Sequence, residues 1–127
     1  MRNEHGPEAI AELLPLPPAT FHILVAVASE DRHGYAIIQD VAERTGGEVR
    51  LTASTLYAAI KRLLDTGWIE EKLQRPRGDD DARRRYYRLT TIGQQAARGE
   101  ALRLERLAAM ARAKNLLPPL RPSTKRS

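Results

Sequence analysis

At 127 residues the chain is long enough for one small hydrophobic core and too short for two. A formal net charge of +5 is compatible with a polyanionic partner without requiring one, and the absence of cysteine excludes disulfides and thiolate metal sites. No apolar run reaches the roughly 18 residues of a membrane span and the N-terminus lacks the basic-then-apolar order of a signal peptide, so a cytoplasmic protein is expected.

Residues 1–17 contain Gly6, Pro7, Pro15 and Pro17 and are expected to form a mobile arm, with a short helical turn around Ile10, Leu13 and Leu14. The apolar stretch of Phe21, Ile23, Leu24, Val25, Ala26, Val27 and Ala28 predicts a first helix buried on much of its circumference. His33, Gly34 and Tyr35 open a second helix, with Tyr35, Ile38, Val41 and Ala42 on its inner side and Gly46 and Gly47 closing it. Glu48, Val49, Arg50 and Leu51 are read as one short strand.

The third helix has Thr52 as N-cap and Gly67 as stop. At 3.6 residues per turn Leu56, Ile60, Leu63 and Leu64 gather on one side with Ala59 at the edge, and Ser54, Tyr57, Ala58, Lys61 and Asp65 on the other. Two aromatic-rich strands follow, one around Trp68, Ile69, Lys72 and Leu73 and one around Tyr86, Tyr87 and Leu89. The turn between them holds Pro76, Gly78, Asp79, Asp80 and Asp81. Arg83, Arg84, Arg85 and Arg88 lie at the base of this hairpin. A helix presenting hydroxyl, phenol and ammonium groups beside arginines suits a duplex: the helix enters a major groove and the arginines hold phosphates or a minor groove. Each residue also has a plainer reading. Tyr57 contacts DNA or is an ordinary half-buried tyrosine; Ser54 and Thr55 favour an anion at the helix start or bond locally; Lys61 and the arginines contact phosphates or form a solvated face. The three aspartates would repel phosphates at the tip, or swing clear.

Residues 92–115 return to a helical pattern without proline. Ala97, Ala101, Leu104, Ala108 and Ala111 recur at 4-3-4-3 spacing, widened by Leu107 and Met110. Such a seam meets another helix, and a second copy of the chain is the expected partner. From Arg98 onward eight Lys or Arg stand against Glu100 and Glu105, so the basic excess is C-terminal. Residues 116–127, basic and proline-containing, are expected to be a disordered tail. His5, His22 and His33 have no metal-ligand spacing, and no phosphate loop or nucleophile motif appears, so neither a metal, a cofactor nor enzyme chemistry is expected.

The order and spacing of His33-Gly34-Tyr35, Thr55-Leu56-Tyr57, Leu63 through Gly67 with Trp68-Ile69, and Tyr86-Tyr87-Arg88-Leu89-Thr90 with Gly93 resemble the PadR family of bacterial transcriptional regulators, over roughly residues 20–114. The resemblance implies a mainly α fold with a small β-wing: a winged helix-turn-helix over 18–90 and a C-terminal dimerisation helix over 91–115. It also implies a homodimer, usually a repressor, released from DNA in some members by a small-molecule effector. The chain departs from the family at Ser54, often glycine there. It also lacks any aromatic residue in the C-terminal helix, which argues against multidrug sensing. The leading expectation is a dimer reading an inverted repeat with its third helices ~34 Å apart. The competing ones are a ligand sensor and a protein-interaction module, which fold alone cannot separate.

Overall fold

The computed structural model describes residues 10–74 and 84–121. Among the described residues, helices α1 (Pro18–Ala26), α2 (Gly34–Arg44), α3 (Ala53–Asp65) and α4 (Thr91–Ala113) accompany a three-stranded antiparallel sheet of β1 (Arg32–His33), β2 (Ile69–Gln74) and β3 (Arg84–Leu89), in the order β1-β3-β2. The described part of the fold is therefore mainly helical with a small wing. Ile23, Leu24, Ile37, Val41 and Leu56 are the largest fully buried side chains, each contributing about 1.5–3 kcal/mol relative to exposure.

Each helix starts where its sequence supplies a signal, a proline for α1 and a capping side chain for the other three. Pro18 occupies the first turn of α1, where its missing N–H costs nothing. His33 Nδ1 accepts from Ala36 N at the start of α2 (3.2 Å), and Thr52 Oγ1 accepts from Thr55 N at the start of α3 (3.1 Å). Helix α3 ends as expected at Gly67, whose φ of 77° lets Trp68 N donate back to Leu63 O (3.0 Å). Trp68 then packs into the core.

Three expectations need correction. Residues 48–51 are not a strand: Gly46 and Gly47, both at positive φ, curl the chain, and Thr45 Oγ1 accepts from Val49 N (3.0 Å), satisfying that backbone locally. The third strand is β1, paired to β3 with Arg32 opposite Tyr87 and His33 opposite Tyr86. The inner face of α2 is Gly34, Ile37 and Val41, with Ile38 and Ala42 partly buried, whereas Tyr35 is 63% exposed. Residues 10–17 of the expected mobile arm are docked, with Ile10 and Leu16 in the core. Residues 1–9 lie outside the described part.

Thr90 caps α4 by accepting from Gly93 N (3.1 Å) while its hydroxyl donates to Gly67 O (2.6 Å), and its N–H donates to Trp68 O (3.1 Å). A Cβ on Gly93 would run into the Trp68 carbonyl oxygen, so only glycine allows α4 this close to the α3–β2 turn. The first half of α4 buries Gly93, Ala96 and Glu100; beyond Glu100 no residue of the helix is fully buried. Asn115, at φ 64°, terminates it. In the expected tail, residues 116–120 are exposed without regular structure, while 122–127 lie outside the described residues.

Candidate nucleic-acid interface

Helix α3 presents a complete outer face. Leu56, Ala59, Ile60 and Leu63 are buried, which leaves Ser54, Thr55, Tyr57, Ala58, Lys61 and Asp65 exposed. Lys61 Nζ lies 3.9 Å from Asp65 Oδ2, a solvent-screened pair one turn apart that leaves the ammonium available. Tyr57, 50% exposed, leans over the first turn of α2: a Cβ on Gly34 would collide with its hydroxyl.

Strand β3 brings the arginines to the same side. His33, Gly34, Tyr35, Tyr57, Arg84, Arg85 and Tyr87 together line an open cleft of about 380 Å³. The structure thus joins Tyr57 with Arg84 and Arg85, and adds His33 and Tyr35. The sequence shows His33 only as the opening of α2 and predicts Tyr35 on its inner side; the His33-Gly34-Tyr35 tripeptide is the signal that marks them. Arg83 and the three aspartates fall outside the described residues. Arg85 Nη1 lies 3.3 Å from Glu71 Oε2 and Arg88 Nε lies 3.1 Å from Glu70 Oε2, both across the β2–β3 ladder. These pairs direct the two arginines along the wing.

Arg84 has no carboxylate partner among the described ion pairs; its Nη1 faces His33 Nε2 at 3.3 Å. Because His33 Nδ1 accepts from Ala36 N, a neutral ring carries its proton on Nε2, where it confronts the N–H groups of Arg84. That contact does not tether the guanidinium. Burial and the Arg84 charge hold the His33 pKa below its ordinary value, so the imidazole stays neutral beside the arginines. Burial raises the Tyr87 phenol, with Glu71 and Tyr57 acting in the same direction and Arg85 against them. At neutral pH the cleft therefore offers fixed guanidinium charge and neutral hydroxyl donors, chemistry that fits a phosphate diester.

The expected pairing seam lies at the far end of α4. Ala97 packs against the chain's own core, whereas Ala101, Leu104 (40% exposed), Leu107 (48%) and Met110 (63%) face outward, with Ala108 and Ala111 partly covered. Among the described residues no helix is long and apolar enough to cross a membrane.

Residues 23–99 match the transcriptional regulator PadR-like family. A protein of Lysinibacillus sphaericus is 36% identical over 73 residues, a match that spans 56% of this chain and 63% of that protein's length. Among solved structures, a PadR family transcription regulator from Clostridium difficile R20291 superposes with a TM-score of 0.66 at 24% identity, over 76% of this chain and 97% of that one. Bacillus subtilis PadR in complex with operator DNA gives 0.61 at 20% identity, over 87% of this chain and 54% of the other. At these identities the structures establish a shared winged-helix fold, and the family match covers more than half of the sequence, including α3 and the wing. The chain belongs to the PadR-like family of transcriptional regulators.

Proposed function

We propose that the protein is a homodimeric, sequence-specific DNA-binding regulator, acting in the cytoplasm as a repressor on an inverted-repeat operator. The observation that carries this reading is the continuity of the exposed α3 face with the cleft holding Tyr57, Arg84 and Arg85. Polar side chains able to read base edges thus adjoin cations able to hold phosphates. The related fold of Bacillus subtilis PadR in complex with operator DNA supports it. In this reading Ser54, Thr55, Tyr57 and Lys61 enter the major groove, and Arg83, Arg84 and Arg85 grip the flanking backbone.

The outer face of α3 has one cation offset by Asp65, so affinity per half-site is modest and pairing supplies the rest. The seam of Ala101, Leu104, Leu107, Ala108 and Ala111, entered from Ala97, is the surface through which two copies join. Two copies double the phosphate contacts and fix two reading helices on one side of the duplex.

A fluorescence anisotropy titration against duplex from the region upstream of the protein's own gene tests the proposal. Selective binding is expected, weakening steeply with salt. Tyr57→Ala is expected to lower affinity about tenfold, within the ~1–3 kcal/mol range of a lost contact, at unchanged dimer mass. Absence of selective binding at micromolar protein defeats the reading. If Tyr57→Ala and Arg84→Ala/Arg85→Ala both bind like the parent, the site assignment is wrong.

A further inference from the structure

Glu100 is the only charged residue in the core among the described residues, 3% exposed on the inner face of α4. Its Oε1 accepts from Leu16 N (3.2 Å) and Arg103 Nε (2.9 Å), and its Oε2 from Arg103 Nη2 (2.7 Å). Burying a carboxylate costs several kcal/mol before pairing, and an apolar side chain commonly serves stability as well or better. Here the carboxylate does what an apolar group cannot: it fixes α4 to one backbone amide 84 positions earlier.

That amide belongs to a segment lying between two working parts. Ile10 and Leu14 approach Gly99 of α4, and with Ala11, Arg98 and Arg106 they line an open cleft of about 310 Å³. On its other side Leu13, Leu16 and Pro17 face Ala59 and Leu63, on the back of α3, and Trp68, across an apolar cleft of about 210 Å³. Residues 10–17 and α1 thus lie between α4 and α3, each bordering both.

We propose that Glu100 is a positioning residue for DNA binding. Through Leu16 it clamps residues 10–17 as a brace that fixes the angle between α4 and α3, and so sets how far apart the two α3 helices of a dimer stand on a duplex. This inference rests on the DNA-binding dimer proposed above.

Trp68, the chain's single tryptophan, borders the brace and reports on it without DNA. The full chain and its Glu100→Leu, Glu100→Gln and Arg103→Met variants are compared by Trp68 emission and sedimentation mass. Their affinities are measured for a single half-site and for operators whose half-sites are at native separation or one base pair closer or farther. Glu100→Leu is expected to shift emission to longer wavelength and to weaken binding at native spacing about tenfold, a usual size for coupling between sites. Its preference among spacings should flatten, while half-site affinity and dimer mass stay unchanged. Glu100→Gln keeps an acceptor for Leu16 N and recovers most of the loss, and Arg103→Met shows a smaller effect in the same direction. Unchanged emission and spacing preference in Glu100→Leu overturn the inference, as does a parallel loss on half-site and full operator, which marks a merely structural role. If Glu100→Leu does not fold, Arg103→Met decides by the same criteria. A parent that binds no duplex overturns both readings; a parent that binds, with variants that match it, overturns the brace alone.

Discussion

A Cβ on Gly34 would stand 2.9 Å from Tyr57 Cζ and 3.3 Å from Leu56 Cδ2, so the second helix begins with glycine because the third helix lays a phenol across it. Tyr57 is half exposed and can swing aside, which makes the folding cost of Gly34→Ala small and its functional cost large. The expected outcome is about 1 kcal/mol in a denaturant melt, with a loss of operator affinity comparable to that of Tyr57→Ala. His33 carries a pH dependence whose sign follows from its surroundings. Burial and Arg84 depress its folded pKa, so the stability it supports is complete above the ordinary value of 6.5 and is lost as pH falls through the lower folded value. His33→Asn retains a capping oxygen and no titrating group, so thermal melts between pH 8 and 5 should show the parent losing more stability than the variant. At this scale the sequence told residue types well and neighbours poorly. Tyr57 was legible on the outer face of its helix from spacing. Its contact with Gly34 was not, because the two lie more than twenty positions apart, and Tyr35 was misplaced because an aromatic residue scores as core whichever way it points.

The elements were legible wherever periodicity or punctuation was strong. Thr52 and Gly67 bracket α3, and Leu56, Ile60 and Leu63 lie on its inner face as their spacing predicts, although Ala59 is buried there in place of Leu64, which is only partly covered. β1 escaped notice because two residues carry no alternation, and it is recruited by partners more than fifty positions away, Tyr86 and Tyr87, through the ladder and the edge-on packing of His33 against Tyr86. Residues 48–51 had strand-like composition, but the turn at Gly46 and Gly47 and the bond from Val49 N to Thr45 Oγ1 hold their backbone locally. The joint between α3, the wing and α4 was also hidden: Thr90 and Gly93 read as a cap and a small residue, while their targets are the backbones of Gly67 and Trp68. A carbonyl cannot move aside as a tyrosine can. Gly93→Ala is therefore expected to cost ~3 kcal/mol, at the upper end of overpacking, seen as a lower denaturation midpoint with an unchanged slope.

At the scale of the molecule, α4 divides into a rooted half and a free half. Its 23 residues span about 35 Å, and only the first ten or so touch the core. The 4-3-4-3 spacing cannot tell which turns of α4 face the chain's own core, so it groups Ala97 with Leu104 although the two lie in different surroundings. Replacing Leu104 and Leu107 together with glutamate is expected to leave the circular dichroism of the winged-helix part intact and to reduce the sedimentation mass to 14.2 kDa; a mass unchanged from the parent refutes that pairing surface. Glu100 was the least legible feature of all, since a glutamate on a charged helix reads as solvated until the arm is seen to reach it. The Thr90 and Gly93 joint also governs how members of this architecture can be recombined. A chimaera cut anywhere between Trp68 and Thr90 would unite two surfaces shaped for different mates, whereas a crossover ahead of Gly67 would keep Gly67 and Trp68 with the Thr90 and Gly93 they receive. The turn after α3 and the first turn of α4 are then exchangeable only as one piece.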